Sequence, residues 1–392
     1  MTLHQRSRRA VGPWAAAAVL LLAGCASGDG SSACPAVPDG ALEPCAQARA
    51  LGKGVNFGDL LEADPDEGAW SNGILIQESH FALAKEAGFD SVRLPVGFAL
   101  HSQSSAPYTI DAAFMARVDQ VVSWGLAHGL RMVVDLHNYN ALQSDPQGQR
   151  ARFVALWQQI ATHFRSAPDE VYFELLNEPN TGLDAATWNG IVAETLTAIR
   201  AIDPRHTVVI GATDYSNPDG LVGLHVPDAE RNAIVTFHYY TPNLFCFQGK
   251  VSFMGNDWAT TGITWPGPPA SPITPAPAVS AWVTSWIESY NTEPAARNPA
   301  GQWVIERDIA QAVAWGKENH RPLWMSEFTA QDGADLASRA RWMAAVRKEL
   351  ESSGIPWSFW SLLSDPGTKL YDTSTGLWTT ELTGALGLDV HN

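Results

Sequence analysis

Residues 171–180 read Val-Tyr-Phe-Glu-Leu-Leu-Asn-Glu-Pro-Asn. An apolar run gives way abruptly to Asn177-Glu178. Valine, tyrosine and phenylalanine favour strands, and Pro179 can neither continue a ladder nor enter a helix interior. The stretch therefore reads as a buried strand that ends at or near Glu178. A carboxylate in such a place costs free energy unless it is paired or used. Residues 322–328, Pro-Leu-Trp-Met-Ser-Glu-Phe, repeat the design, with Glu327 closing a second apolar run. One such glutamate is readily explained as a strand-end cap or a salt-bridge partner. Two of them, far apart in sequence, point to a site built from two carboxylates.

The same strand-then-helix rhythm runs on both sides. Upstream, strands are expected at 54–58, 91–96 and 131–137. Helices are expected at 79–88 (capped by Ser79, stopped at Gly88), 111–128 and 152–165. The second helix places Phe114, Val118, Val121, Val122 and Leu126 on one face. Downstream, strands are expected at 207–211, 234–240, 323–328 and 356–362, and helices at 185–202, 306–319 and 336–353. A last apolar piece at 385–388 is expected to close the ring. About eight alternations predict an α/β fold of the (β/α)8 TIM-barrel type, with a doubly wound open sheet as the alternative. No Gly-rich phosphate loop follows the first strand, which weakens a nucleotide-binding reading.

The rhythm breaks at 241–305, a proline-rich segment carrying Trp258, Trp265, Trp282, Trp286 and Trp303. Loops of this length are usually functional or disordered, and tryptophans argue against disorder. They either wall a cleft or fill a small core of their own. The predicted organisation is one catalytic domain at 51–392 with this insertion, a leader at 1–24 and a flexible tether at 25–50, where Gly, Ser, Pro and Ala dominate 26–40.

The leader has a basic start (Arg6, Arg8, Arg9), an apolar run at 11–23 too short for a comfortable membrane span, and the ending Leu22-Ala23-Gly24-Cys25. This resembles a bacterial lipobox, which implies export, lipidation of Cys25 and anchoring at the cell envelope; an ordinary secretory signal is the simpler alternative. Cys34 and Cys45 could form a short disulfide in an oxidising compartment, leaving Cys246 unpaired, although spacing alone leaves other pairings open. The formal net charge is −16, and loss of the leader's three arginines makes the mature chain more acidic still. Such a surface argues against nucleic acid as partner and suits a neutral polymer.

In a barrel the C-terminal strand ends converge on one face, where active sites sit. Those ends carry Arg93, His137, Asn177 with Glu178, His238 with Tyr240, Glu327 and Trp360. Arg93 can keep Glu327 ionised through a charge-assisted hydrogen bond, or can serve as a salt bridge inside the barrel. Lone histidines such as His137 and His238 are usually satisfied within the fold. His101 follows Arg93 at loop distance and is a candidate to line the cleft.

Six segments in order, Arg-Leu-Pro (93–95), Asp-Leu-His-Asn (135–138), Leu-Asn-Glu-Pro (176–179), His-Tyr-Tyr (238–240), Ser-Glu-Phe (326–328) and Trp-Ser-Phe-Trp (357–360), resemble the signatures of glycoside hydrolase family 5, the cellulase family. The resemblance spans roughly 50–390. It implies that Glu178 is the acid/base and Glu327 the nucleophile of a retaining hydrolysis. It implies that His137 and His238 line the sugar position before the scissile bond, and that Asn177 contacts the sugar 2-OH. Tyr240 would then orient Glu327, and Trp360 would stack on the ring, while Trp357 belongs to the core. The implied partner is a β-linked polysaccharide or oligosaccharide, with β-1,4-glucan the commonest substrate of the family. Mannan, xyloglucan, mixed-linkage glucan and β-1,3-glucan are the alternatives. No metal or other cofactor is expected, and the chain is expected to act as a monomer. A metal-dependent barrel hydrolase would need clustered ligands that Gly54-Val55-Asn56-Phe57-Gly58 does not offer. A non-catalytic sugar-binding lipoprotein would retain the tryptophans without needing both glutamates.

Overall fold

The computed structural model describes residues 42–180, 182–363 and 367–392. Cys25 and Cys34 lie outside these residues. In chain order the elements are α1 (Pro44–Leu51), β1 (Lys53–Asn56), α2 (Glu78–Glu86), β2 (Ser91–Val96), α3 (Ala112–Ala127), β3 (Arg131–Leu136), α4 (Asn140–Ser144), α5 (Pro146–Phe164), β4 (Val171–Glu174), α6 (Ala185–Arg200), β5 (Val208–Gly211) and β6 (Ala233–Tyr239). The inserted segment contributes α7 (Asn243–Cys246), α8 (Val251–Met254) and α9 (Ala281–Thr292). Then come α10 (Gln302–Glu318), β7 (Leu323–Phe328), α11 (Leu336–Ser352), β8 (Trp357–Phe359), a small hairpin of β9 (Tyr371–Asp372) and β10 (Leu377–Trp378), and α12 (Thr380–Ala385).

Strands β1 to β8 pair in sequence order, all parallel, and form a closed barrel. The protein is a (β/α)8 barrel. Closure is made by β8 against β1, with Gly54 opposite Ser358. A Cβ at Gly54 would come within 2.0 Å of the Ser358 hydroxyl, so the seam tolerates no side chain there. The apolar piece expected to close the ring is instead the end of α12 and the turn after it. Four of the helices start on aspartate: Asp111, Asp145, Asp184 and Asp335 each accept a backbone N–H of the first turn. Such caps stabilise a helix by about 0.5–2 kcal/mol. The helix at α2 begins one residue before the expected cap Ser79, with Gln77 at its N-cap.

Side chains along each strand alternate between two cores. Met132, Val134, Phe173, Val208, Ile210, Val235 and Met325 face the helices. Their neighbours Val133, Tyr172, Val209, Ile234 and Trp324 form a separate interior cluster with Ala48 and Leu51. Those last two belong to α1, which corrects the tether reading at its end. Residues 44–51 are a helix with Pro44 in its first turn, docked under the barrel. The Tyr172 hydroxyl bonds the Gln47 side chain at 2.7 Å. Cys45 on this helix is disulfide-bonded, and Cys246 is a buried free thiol.

Candidate active site

Above the apolar cluster the barrel interior turns ionic, and Arg93 of β2 is its centre. Its side chain is fully buried. Nε and Nη2 donate to the two oxygens of Glu174 (2.7 and 2.9 Å). Nη2 also reaches Asp135 (3.0 Å) and the Asn177 amide oxygen (2.9 Å). Nη1 reaches Glu327 (2.6 Å) and the Asn56 amide oxygen (3.1 Å). A guanidinium is the one side chain with enough fixed donors for this. Burial opposes its charge, but Asp135, Glu174 and Glu327 outweigh that and hold it protonated.

Glu327 sits at the end of β7, where the register against β6 slips between Phe237 and His238, so that His238 pairs with Glu327. Bulges of this kind re-aim side chains beside active sites. Tyr240, just past β6, donates its hydroxyl to Glu327 at 2.8 Å. Burial, and then Glu327 itself, push the Tyr240 phenol well above its ordinary pKa, so it keeps the proton it donates. Two donors on two oxygens, Arg93 and Tyr240, fit the ionised carboxylate.

Glu178 is not the end of its strand. β4 stops at Glu174, and Glu178 lies four residues later with a left-handed φ of 45°. A non-glycine residue in that region is strained. Its carbonyl is held there by the amides of Gln143 (3.3 Å) and Asn180 (2.8 Å). Its carboxyl meets His238 Nδ1 at 2.9 Å. Burial lifts Glu178 to about 7, against the opposing pull of His137 and Arg93. Burial lowers His238 to about 4. Both shifts favour a neutral carboxylic acid beside a neutral imidazole. The Glu178 side chain is 28% exposed while that of Glu327 is 6% exposed, so the first is open to the cleft and the second lies deep.

One carboxylate oxygen of Glu178, one of Glu327 and a ring nitrogen of His238 all lie within 4.8 Å of one another. Among the described residues this is also the group close enough to hold a metal ion, but its donor atoms are already engaged with one another, Arg93 and Tyr240. His137 places Nδ1 2.5 Å from Asp135, and burial drives its pKa down to about 3. Both histidines thus spend Nδ1 on a carboxyl group and leave Nε2 for a ligand. Trp360 lies nearly parallel to His137 (5.8 Å, 18°). Its ring runs over Gly58, where a Cβ would stand 2.2 Å from it. Asn177 gives its oxygen to Arg93, which leaves its NH2 as a donor. Trp357 is buried in the core.

His101 does not join this group; it stacks on Phe114 at 3.9 Å. Glu174, Asp135 and Asn56 do join it, and the sequence reading assigned them no role. A signal existed for Glu174. Alternation puts it on the inward face with Tyr172, opposite the inward Arg93.

A family profile described as Cellulase (glycosyl hydrolase family 5) matches residues 50–365. Endoglucanase H of Acetivibrio thermocellus is 29% identical over 352 residues, which is 88% of this chain but only 34% of that protein. Endoglucanase 3 of Fibrobacter succinogenes is 27% identical over 79% of this chain and 49% of its own length. The chain thus spans a third to a half of these relatives. Thermotoga maritima Cel5A, solved in complex with cellobiose, superposes with a TM-score of 0.76 at 34% identity, over 88% of this chain and 99% of that one. By sequence and by barrel, the chain belongs to glycosyl hydrolase family 5.

Proposed function

We propose that the protein is a retaining endo-β-1,4-glucanase. The observation that carries this reading is the separation of the two carboxylates. Retaining glycosidases hold theirs about 5–5.5 Å apart, and inverting ones about 6.5–9.5 Å, to admit a water. Oxygens of Glu178 and Glu327 within 4.8 Å suit the first geometry. Ionised Glu327 attacks the anomeric carbon as the glycosidic C–O bond breaks. Glu178 delivers its proton to the departing oxygen. Glu178, now a carboxylate, then takes a proton from water, whose oxygen displaces Glu327 and restores the start. Arg93 and Tyr240 orient the nucleophile, and the Asn177 NH2, left as a donor by the bond from Arg93 to its oxygen, would meet the sugar 2-OH, a contact that tightens in the transition state. Trp360 offers a flat face to the ring.

The endoglucanase names of the relatives and the cellobiose complex of Thermotoga maritima Cel5A favour a glucan. A second reading has its own observation. That same neighbour was solved with a mannotriose substrate, which supports mannan as an additional target. Reducing-sugar release from carboxymethylcellulose, barley β-glucan and glucomannan decides between them, with Glu327→Gln alongside. Activity on the glucans, absent in the variant, is the expected result. A folded enzyme that releases sugar from none of the three would overturn the reading and reopen the binding-protein alternative.

We further infer that the enzyme works as a monomer at the cell envelope, anchored through lipid on Cys25. Several acyl chains are needed for stable attachment, since one binds only marginally. Cys25→Ser should move the enzyme from the detergent-soluble to the aqueous fraction; unchanged partitioning would count against the anchor.

A further inference from the structure

The segment between β6 and α10 holds tryptophans that the reaction above does not use. Trp265 is buried and Trp258 half-buried. Trp282, Trp286 and Trp303 instead line a groove of about 620 Å³ between α9, the start of α10 and residues 241–244. No member of the Arg93 cluster lines it. Trp282 is 44% exposed. Left in water, that surface forfeits the stabilisation its burial would bring.

These rings are nevertheless fixed. The Trp282 indole N–H donates to Asp257 at 3.0 Å, and its ring meets Trp258 edge-on, at 6.0 Å and 65°. Trp286 lies almost parallel on Tyr290 (5.3 Å, 12°). Trp303 bonds the Asn298 carbonyl at 2.9 Å and carries the Arg307 guanidinium over its ring. Trp282 and Trp286, fixed by these contacts and lining the groove, form a prepared surface. Trp282 and Trp286 are one turn apart on α9, hence about 6 Å apart along one face, close to the length of one sugar ring.

The charges of the groove are already compensated. Arg297 pairs with Glu293 at 2.9 Å, and Arg307 pairs with Asp308 at 2.6 Å. Such a lining has little for a phosphate or a charged peptide. Flat apolar faces edged by hydrogen-bonding groups match a neutral chain of pyranose rings. Thr241 in its wall directly follows in sequence Tyr240, which bonds Glu327.

We propose that this groove is a second glycan-binding site, which holds a stretch of β-linked polysaccharide outside the catalytic cleft. The identity of the glycan rests on the glucanase reading; the existence of the site does not. The test is native electrophoresis of the full chain carrying Glu327→Gln, through gels with and without barley β-glucan. The parent is expected to be retarded by the polymer. Trp282→Ala with Trp286→Ala should weaken polymer binding about ten-fold. Trp282→Ala alone, at an exposed position, should show part of the loss without risk to folding. In the otherwise native enzyme, the paired change should leave kcat/KM on cellotetraose unaltered.

Equal retardation of parent and variants, or none of the parent, overturns the proposal. So does a parallel fall in cellotetraose turnover, which would place the groove in the cleft itself. A parent that elutes as a dimer while the variants elute as monomers, with retardation unmoved, would assign the groove to a second copy of the chain. If the native enzyme hydrolyses glucomannan but no glucan, the glucanase reading fails, and retardation in gels cast with glucomannan decides the groove by the same criteria.

Discussion

The two halves of the barrel interior grow from the same strands and share almost no chemistry. On β3 the inward residues are Val133 and then Asp135; on β4, Tyr172 and then Glu174; on β7, Trp324 and then Ser326. Each pair is separated by about 7 Å of strand. Below, Val133, Tyr172, Val209, Ile234 and Trp324 close on Ala48 and Leu51 of α1 as a hydrocarbon floor. Above, carboxylates gather on Arg93. The floor makes the upper half strong, because a dry base keeps water from screening the ions. It also makes the upper half costly, because each charge there must find a partner. On the proposed mechanism the ionic half supplies reactivity while the apolar half supplies stability, so changes in each should have separable effects.

The largest effect belongs to the proposed nucleophile. Glu327→Gln keeps the shape and removes the attacking charge, so kcat should fall by a factor on the order of 10⁴ or more. The melting temperature should change little. Measured in parallel, rate and melting temperature test whether the upper half can be silenced without loosening the lower. A large drop in melting temperature would break the division.

Arg93→Met acts on both properties, since it strands Asp135, Glu174 and Glu327 without their cation. Removing one partner of a buried ion pair typically costs about 3–5 kcal/mol. Chemical denaturation should show a loss of that order, with activity falling as well. Because burial favours protonated carboxyls, the loss should shrink as the pH is lowered. A loss that is flat with pH would mean that the carboxylates are partnered elsewhere.

Leu51→Ala works from the other side. It leaves a cavity under the barrel, and such truncations cost about 2–5 kcal/mol. At temperatures where the variant is folded, kcat and its pH profile should match the parent. A shifted profile would show that water entering through the floor reaches the Arg93 layer.

The sequence reading located the upper half better than the lower, for physical reasons. Strands such as β2 and β7, buried on both faces, read as continuous apolar runs with sharp ends, and their bounds match the expectation at 91–96 and 323–328. Glu178 stood out by its polarity, yet its place was misjudged. The apolar Leu175 and Leu176 extend the look of the strand beyond its last ladder residue. Glu174 was hidden by its apolar neighbours, and its partner Arg93 is 81 residues away. The floor helix α1 was illegible because it follows a Gly/Ser/Pro-rich stretch and buries only a few residues. Its docking depends on Tyr172 and Trp324, which are brought under it only by the closed barrel.

The smallest effect is the subtlest test of the comparison, because it depends on a proton. In the fold, Glu178, Glu174 and Asp135 are lifted to about 7, with burial as the first cause of each. In the unfolded chain they titrate near about 4. A carboxyl with a raised folded pKa holds its proton more tightly when folded. Its contribution to stability is therefore full below pH about 4 and is lost as the pH rises through about 7. His137 and His238, lowered to about 3 and about 4, act in the opposite sense, costing stability as the pH falls below about 6.5. The curve of the native enzyme mixes the two trends, and a difference curve separates them. Glu178→Gln has no proton to lose, so its melting temperature should fall less than the parent's between pH 4 and 8, by at most about 3 kcal/mol in stability. The same proton should set the alkaline limb of kcat/KM near pH 7, since in the proposed mechanism Glu178 carries it to the leaving oxygen. Leu51→Ala should leave both features where they are, because the floor's titratable group, Tyr172, is pushed by burial up to about 12, far above this range. If the melting curves of parent and Glu178→Gln ran parallel while the alkaline limb stayed near 7, the proton lost at that limb would belong to another member of the Arg93 cluster.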